Sequence, residues 1–251
     1  MDSSGSVDAA IARRRFLRLA GSAGLVAASA SALGAWTGLA GAEILRAPPG
    51  DGTPADPEAA LARLIRGNRR FVRGTLKHPM DADERRRATI GTQIPFAAVL
   101  ACADARVPPE TIFDQGLGDL FVVRVAGNVP GPDEIASLAY AAEHLGIDLI
   151  LVLGHENCGA VTTTIDVVEG RLDPGEYAIL TDAIAPAVKT AQASGASGAK
   201  LLAESVEENV RLVTAQVPER SHAVAAEITR RELAVMGGVY HLTSGKVTIL
   251  R

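Results

Sequence analysis

The chain contains two cysteines, Cys102 and Cys158, and each sits in a short run of residues able to do chemistry. The first run is Cys102-Ala103-Asp104-Ala105-Arg106, and the second is His155-Glu156-Asn157-Cys158-Gly159. Two thiolates and an imidazole form a borderline-soft donor set suited to zinc. Three protein ligands leave a fourth position for water, which distinguishes a catalytic zinc site from a closed structural one. His155 and Cys158 are close enough in sequence to meet one ion from a single turn, whereas Cys102 must arrive from a neighbouring element. Asp104 and Arg106 are separated by one residue, so their side chains can form a bidentate pair beside the first cysteine. Taken singly, the cysteines also suit a buried apolar role or, in an exported protein, a disulfide. The joint pattern favours metal, and without a Cys-x-x-Cys arrangement a redox pair is the weakest reading.

These runs need elements to bring them together. Phe96 to Ala101, Leu120 to Val125 and Asp148 to Leu153 are continuous apolar runs, the pattern of strands buried on both faces. Glu134 to Leu145 has the helical period and stops at Gly146, so strand, helix and strand alternate. The expected fold is α/β, a central mostly parallel sheet flanked by helices. Cys102 follows the first strand and His155 the third, at the carboxyl ends where such sheets bind ligands. Upstream, Asp56 as N-cap, Pro57 at the first helical position and Gly74 as a stop predict a helix over Pro57 to Arg73. Further helices are expected over Ala199 to Gln216 and His222 to Glu232. Leu233 to Leu242, a turn at Ser244-Gly245 and Lys246 to Leu250 predict a hairpin at the sheet edge. Ser194 to Gly198 is expected to be a mobile surface loop.

The amino terminus reads as an address. Arg13, Arg14, Phe16, Leu17 and Arg18 precede an uncharged stretch from Leu19 to Ala42, and together they resemble a twin-arginine export signal. Ala and Gly dominate that stretch, so cleavage is favoured over a retained anchor, with Ala40-Gly41-Ala42 as the expected site and Ala30-Ser31-Ala32 as a second. The organisation expected is a signal over residues 1–42, a Pro- and Gly-rich linker over 43–56 and one catalytic domain over 57–251, exported to the periplasm or another extracytoplasmic space. No stable membrane anchor is expected after cleavage. A formal net charge of -4, with arginines in short runs such as Arg85, Arg86 and Arg87, argues against a nucleic-acid partner and for solvated helix faces. His78, His144, His222 and His241 read as surface or helix-end residues, and Asp166 and Glu169 as solvated.

With Cys102, Asp104, Arg106, His155, Cys158 and Gly159 in these positions, the chain resembles the β-carbonic anhydrase family. The resemblance runs from about residue 57 to the carboxyl terminus and includes Asn68, Arg69, Phe71, Gln93, Phe121, Val123, Arg124, Ala126, Asn128, Gly238, Val239, Tyr240 and Gly245. It implies a zinc enzyme that interconverts carbon dioxide and bicarbonate by metal-activated water. Cys102, His155 and Cys158 would hold Zn2+, and Asp104 would either accept a hydrogen bond from the water or take the fourth metal position itself. Arg106 would restrain Asp104, and Gln93 would orient the substrate. The resemblance also implies a homodimer or larger homo-oligomer, in which the amino-terminal helix clasps a partner through Leu61, Leu64 and Phe71. Ala105 departs from the family's usual serine, which bears on positioning rather than on metal binding. Two other readings remain at this stage, a carbon disulfide or carbonyl sulfide hydrolase on the same scaffold and a non-catalytic zinc module.

Overall fold

The computed structural model of the protein describes residues 54–77, 83–230 and 232–250. The expected export signal, most of the linker and His78 lie outside the described residues. Helix α1 (Pro57–Arg73) begins and ends as its sequence dictates. The Asp56 carboxylate accepts from the Ala59 N–H at 2.8 Å, and Gly74 closes the helix at φ 67. After α2 (Asp83–Ala88) come β1 (Ala97–Ala101), α3 (Pro109–Ile112), β2 (Leu120–Arg124) and α4 (Pro132–His144). These are followed by β3 (Leu149–His155), α5 (Gly159–Val168), α6 (Ala178–Ala193), α7 (Gly198–Arg220), α8 (His222–Arg230), β4 (Ala234–Tyr240) and β5 (Val247–Leu250). Among the described residues no helix is long and apolar enough to cross a membrane.

The sheet order is β2-β1-β3-β4-β5, parallel except for β5, which returns antiparallel to β4 as the expected edge hairpin. From β1 the chain moves to β2 on one side, then crosses to β3 on the other. The gap between the carboxyl ends of β1 and β3 is therefore a topological switch point, where open α/β sheets hold ligands. Every residue of β1 and β3 is buried, which is why these strands read as unbroken apolar runs. Their side chains alternate between two cores. Ala98, Leu100, Ile150 and Val152 share a core with Leu138 of α4, Ile184 of α6 and Val210 of α7. Ala97, Val99, Leu149, Leu151 and Leu153 share the other with Ala60 and Leu64 of α1 and with Phe113.

The structure adds detail to several expectations. Leu64 is fully buried inside its own chain, and the partly buried Leu61 and Phe71 pack on the same core, so these side chains have a role within the chain itself. Asn68 and Gly245 belong to one internal junction. The Asn68 amide donates to the carbonyls of Ile112 and Gly245 and accepts from the Val247 N–H, tying α1 to the hairpin. Ser194 to Gly198 is at the surface as expected, exposed except at Ala196, with the Ser194 hydroxyl donating to Glu204 at 2.6 Å. Arg86 and Arg87 pair with Asp83 on an exposed face, but Arg85 binds the largely buried Asp119 at 2.5 Å. Asp166 and Glu169 both pair with Arg171. The sequence pattern assigns no element to residues 159–193, where the structure has α5 and α6.

Candidate metal centre

The switch point brings three donors together. Cys102 follows the last residue of β1, His155 ends β3, and Cys158 is the N-cap of α5. Asn157, at φ 55, makes the sharp turn that sends the chain from strand to helix and places His155 and Cys158 side by side. The ligand atoms of Cys102, His155 and Cys158 lie within 4.8 Å of one another, and all three residues are buried. The two sulfurs are 3.9 Å apart as free thiols, not a disulfide. Sulfurs each about 2.3 Å from a tetrahedral zinc would be separated by nearly the same distance.

The imidazole supplies the sharpest test of fit. His155 Nδ1 stands 2.9 Å from the Glu156 carbonyl oxygen, which can only accept, so Nδ1 carries the proton. Nε2 is then a lone-pair donor. It is fully buried without a hydrogen-bond partner, and beside it are the two sulfurs and Asp104 Oδ2 at 3.8 Å. A buried polar atom is rarely left in that state, and a cation shared with the sulfurs satisfies it.

The electrostatics agree. Cys102 is held well below the usual thiol range, chiefly by its contact with Cys158, and also by His155 and the N–H groups of Asp104 and Gly127 working against burial. Cys158 is pushed the other way, by Cys102 and by burial, although the first amides of α5 oppose this. The pair thus resists carrying two negative charges without a compensating cation. Burial works to lower the pKa of His155, but the Cys102 thiolate and the Glu156 carbonyl outweigh it, and the net shift is upward.

Asp104 stands at the mouth of this group, clamped by Arg106. Arg106 Nε donates to Oδ1 at 2.9 Å, Nη2 to Oδ2 at 2.7 Å, and the Arg106 backbone N–H to Oδ1 at 2.9 Å. That grip holds the carboxyl far below its usual range, so it is ionised at any working pH. The intervening Ala105 is exposed. Arg124, at the end of β2, reaches across to the Cys102 carbonyl at 3.1 Å and the Asp104 carbonyl at 2.5 Å, fixing the loop that carries both.

Not every expected site residue joins this group. Gln93 lies exposed on the loop before β1, at the amino end of a strand whose carboxyl end leads to Cys102. The five residues of β1 alone separate the two ends by about 16 Å. Phe121 pairs in register with Ala98 near that same distant end and packs against Tyr140. The remaining described histidines stay apart from the centre. His144 and His222 are exposed at helix ends, and His241 bonds Thr248 at 3.0 Å. Two features were not read from the sequence: the Gly127 N–H, 3.3 Å from Cys102 Sγ, and Asn209, which donates to the Gly127 carbonyl at 2.9 Å. The available signal was a polar residue on the apolar stripe of Val206, Val210 and Val213.

Comparison with known proteins agrees with this centre. Residues 97–247 match a family model described as carbonic anhydrase. A carbonic anhydrase of Mycolicibacterium smegmatis is 39% identical over 196 residues, covering 78% of this chain and 94% of the relative. Carbonic anhydrase 2 of Mycobacterium tuberculosis is 37% identical over 195 residues, covering 77% and 93%. Among solved structures, the β-carbonic anhydrase CcaA superposes with a TM-score of 0.59 at 27% identity, covering 76% of this chain and 95% of that one.

Proposed function

Because the chain belongs to the β-carbonic anhydrase family, we propose that its reversible hydration of carbon dioxide to bicarbonate and a proton takes place at Cys102, His155 and Cys158, which hold the zinc cofactor, beside the clamped carboxylate of Asp104. The observation that carries this assignment is the buried, partnerless Nε2 of His155 facing both sulfurs. Zinc supplies a Lewis acid that makes water nucleophilic near neutral pH. The protein residues do the rest. Glu156 fixes the tautomer of the neutral His155 ring through its carbonyl, which leaves Nε2 as the nitrogen that would bind the metal.

Asp104, ionised and therefore able only to accept, takes a hydrogen bond from the attacking water and aims the water's free lone pair at the substrate carbon. Arg106 holds this carboxylate on its own fork, which would keep it from ligating the metal. The half-exposed Arg106 guanidinium also puts positive charge at the mouth, where bicarbonate leaves. Cys158→Ser is expected to lose both zinc and hydration activity, measured by metal analysis and stopped-flow assay. Full zinc occupancy in that variant would remove Cys158 from the ligand set.

Gln93 is assigned to the site of a second subunit in a homo-oligomer, because its own chain places it at the wrong end of β1. Export is likewise proposed, through a twin-arginine route to the periplasm or its equivalent, on the strength of Arg13, Arg14, Phe16, Leu17 and Arg18 in the sequence. Folding around zinc before export would protect both thiolates from an oxidising compartment. Replacing Arg13 and Arg14 together by Lys should leave the precursor in the cytoplasm, as read by cell fractionation. Undiminished export of that double variant would refute the route.

A further inference from the structure

Cys102 is the metal ligand whose surroundings draw on the most distant part of the chain. The turn Ala126–Asn128 follows β2 and contains two consecutive left-handed residues, Gly127 at φ 70 and Asn128 at φ 46. That shape points the Gly127 N–H at Cys102 Sγ, 3.3 Å away. Glycine and asparagine are the residues that enter this region most readily, so the pair is suited to the turn. Gly127 has no room for a side chain: a Cβ would lie 2.6 Å from Ile184 Cδ1 and 3.2 Å from Ala160 Cβ.

One side chain grips the turn from outside. Asn209 of α7, 82 residues further along the chain, donates from Nδ2 to the Gly127 carbonyl at 2.9 Å. Asn209 is 1% exposed, and its Oδ1 has no hydrogen-bond partner. An apolar residue of the same size would avoid burying that unpaired oxygen, so the amide is accounted for by the turn it grips. The helix carrying it is fixed as well. Gly154 of β3 and Gly237 of β4 make space for Val210, the next residue of α7; a Cβ at either would lie 2.5 Å or 2.7 Å from a Val210 methyl.

We propose that Asn209 is a positioning residue for the metal centre: by holding the Gly127 carbonyl it aims the Gly127 N–H at the Cys102 sulfur, and so sets how much charge that sulfur donates to zinc. This rests on Cys102 being a zinc ligand. An N–H···S bond draws density from the sulfur lone pairs, which leaves the metal a stronger Lewis acid than two unrestrained thiolates would allow. Without the bond the sulfur donates more, and the metal activates water less.

The test replaces zinc by cobalt(II), whose sulfur-to-metal charge-transfer band reports how electron-rich the thiolate is. Asn209→Leu and Asn209→Asp both remove the donor. In each, the band should move to longer wavelength at unchanged metal content, with a hydration rate about tenfold lower. Ser205→Ala, one turn earlier on the same buried face, should leave the band in place even if it costs stability, which separates positioning from packing. In the wild type loaded with NMR-active cadmium, a metal correlation to the Gly127 amide proton through the sulfur is expected. Its absence overturns the proposal even if both Asn209 variants fail to fold. An unshifted band in a folded Asn209 variant also overturns it. A wild type with no charge-transfer band at all would instead overturn both cysteines as ligands, and a Cys102→Ser variant with the wild-type band unchanged would remove Cys102 alone.

Discussion

At the scale of single residues, the centre works by keeping two opposite tendencies of Asp104 apart. The carboxylate lies 3.8 Å from His155 Nε2, close enough to the metal position to become a ligand itself. What prevents this is the three-point grip of Arg106, whose planar fork matches a carboxylate in a way that lysine cannot. Arg106→Ala should therefore release Asp104 toward the metal and depress the rate while leaving zinc bound. The same grip leaves the carboxylate well supplied with donors without a hydroxyl at position 105, where Ala105 faces solvent. Cys102, Asp104, Arg106, His155 and Cys158 were legible in the sequence because their chemistry is carried by residue type and short spacing. Asn209 was not, because its role depends on a contact across 82 residues and on a left-handed turn that no local pattern announces.

Among the elements, those with local signals were the readable ones. α1 is defined by its cap, its proline and its terminal glycine, and β1 and β3 by their apolar runs. α5 was obscured by its composition, since Val161, Thr162, Thr163, Thr164, Ile165, Val167 and Val168 are β-branched and favour strands as readily as helices. α6 was obscured by Pro186 in its interior, and α7 was read as ending before Pro218, whereas it continues to Arg220. One element end carries a pH prediction. Asp148, at the foot of β3, is pushed up to about 6 by burial and by the nearby charge of Asp56. The folded state therefore binds its proton more tightly than the unfolded chain, whose carboxyl has the ordinary value of 3.8. Stability is accordingly greater below the unfolded value and is lost as pH rises through about 6. Asp148→Asn should raise the melting temperature near pH 7.5 by about 2–4 °C, allowing for solvent screening, with the gain vanishing below about pH 4. A gain of equal size at both pH values would contradict this origin.

At the scale of the whole molecule, one chain holds the metal ligands at one end of its sheet and Gln93 at the other. If Gln93 orients substrate, a complete site needs two subunits. Gln93→Ala and Cys158→Ser, each of low activity alone, should recover activity when co-expressed, because a hybrid contains one site with both residues intact. Failure of a demonstrated hybrid to recover any activity would remove Gln93 from the chemistry. The separation itself was legible, since the apolar run Phe96 to Ala101 between Gln93 and Cys102 reads as a buried strand and the structure has β1 there.

The central claim is that zinc at Cys102, His155 and Cys158 hydrates carbon dioxide while Arg106 keeps Asp104 off the metal. It is tested most directly by measuring zinc content and stopped-flow hydration rate together, on the same preparations of wild type and Arg106→Ala. One zinc per chain in both proteins, with the variant slower by about 10- to 100-fold, is the predicted result. A variant as fast as its parent at equal zinc content, or a wild type that is active without the metal, would contradict the account.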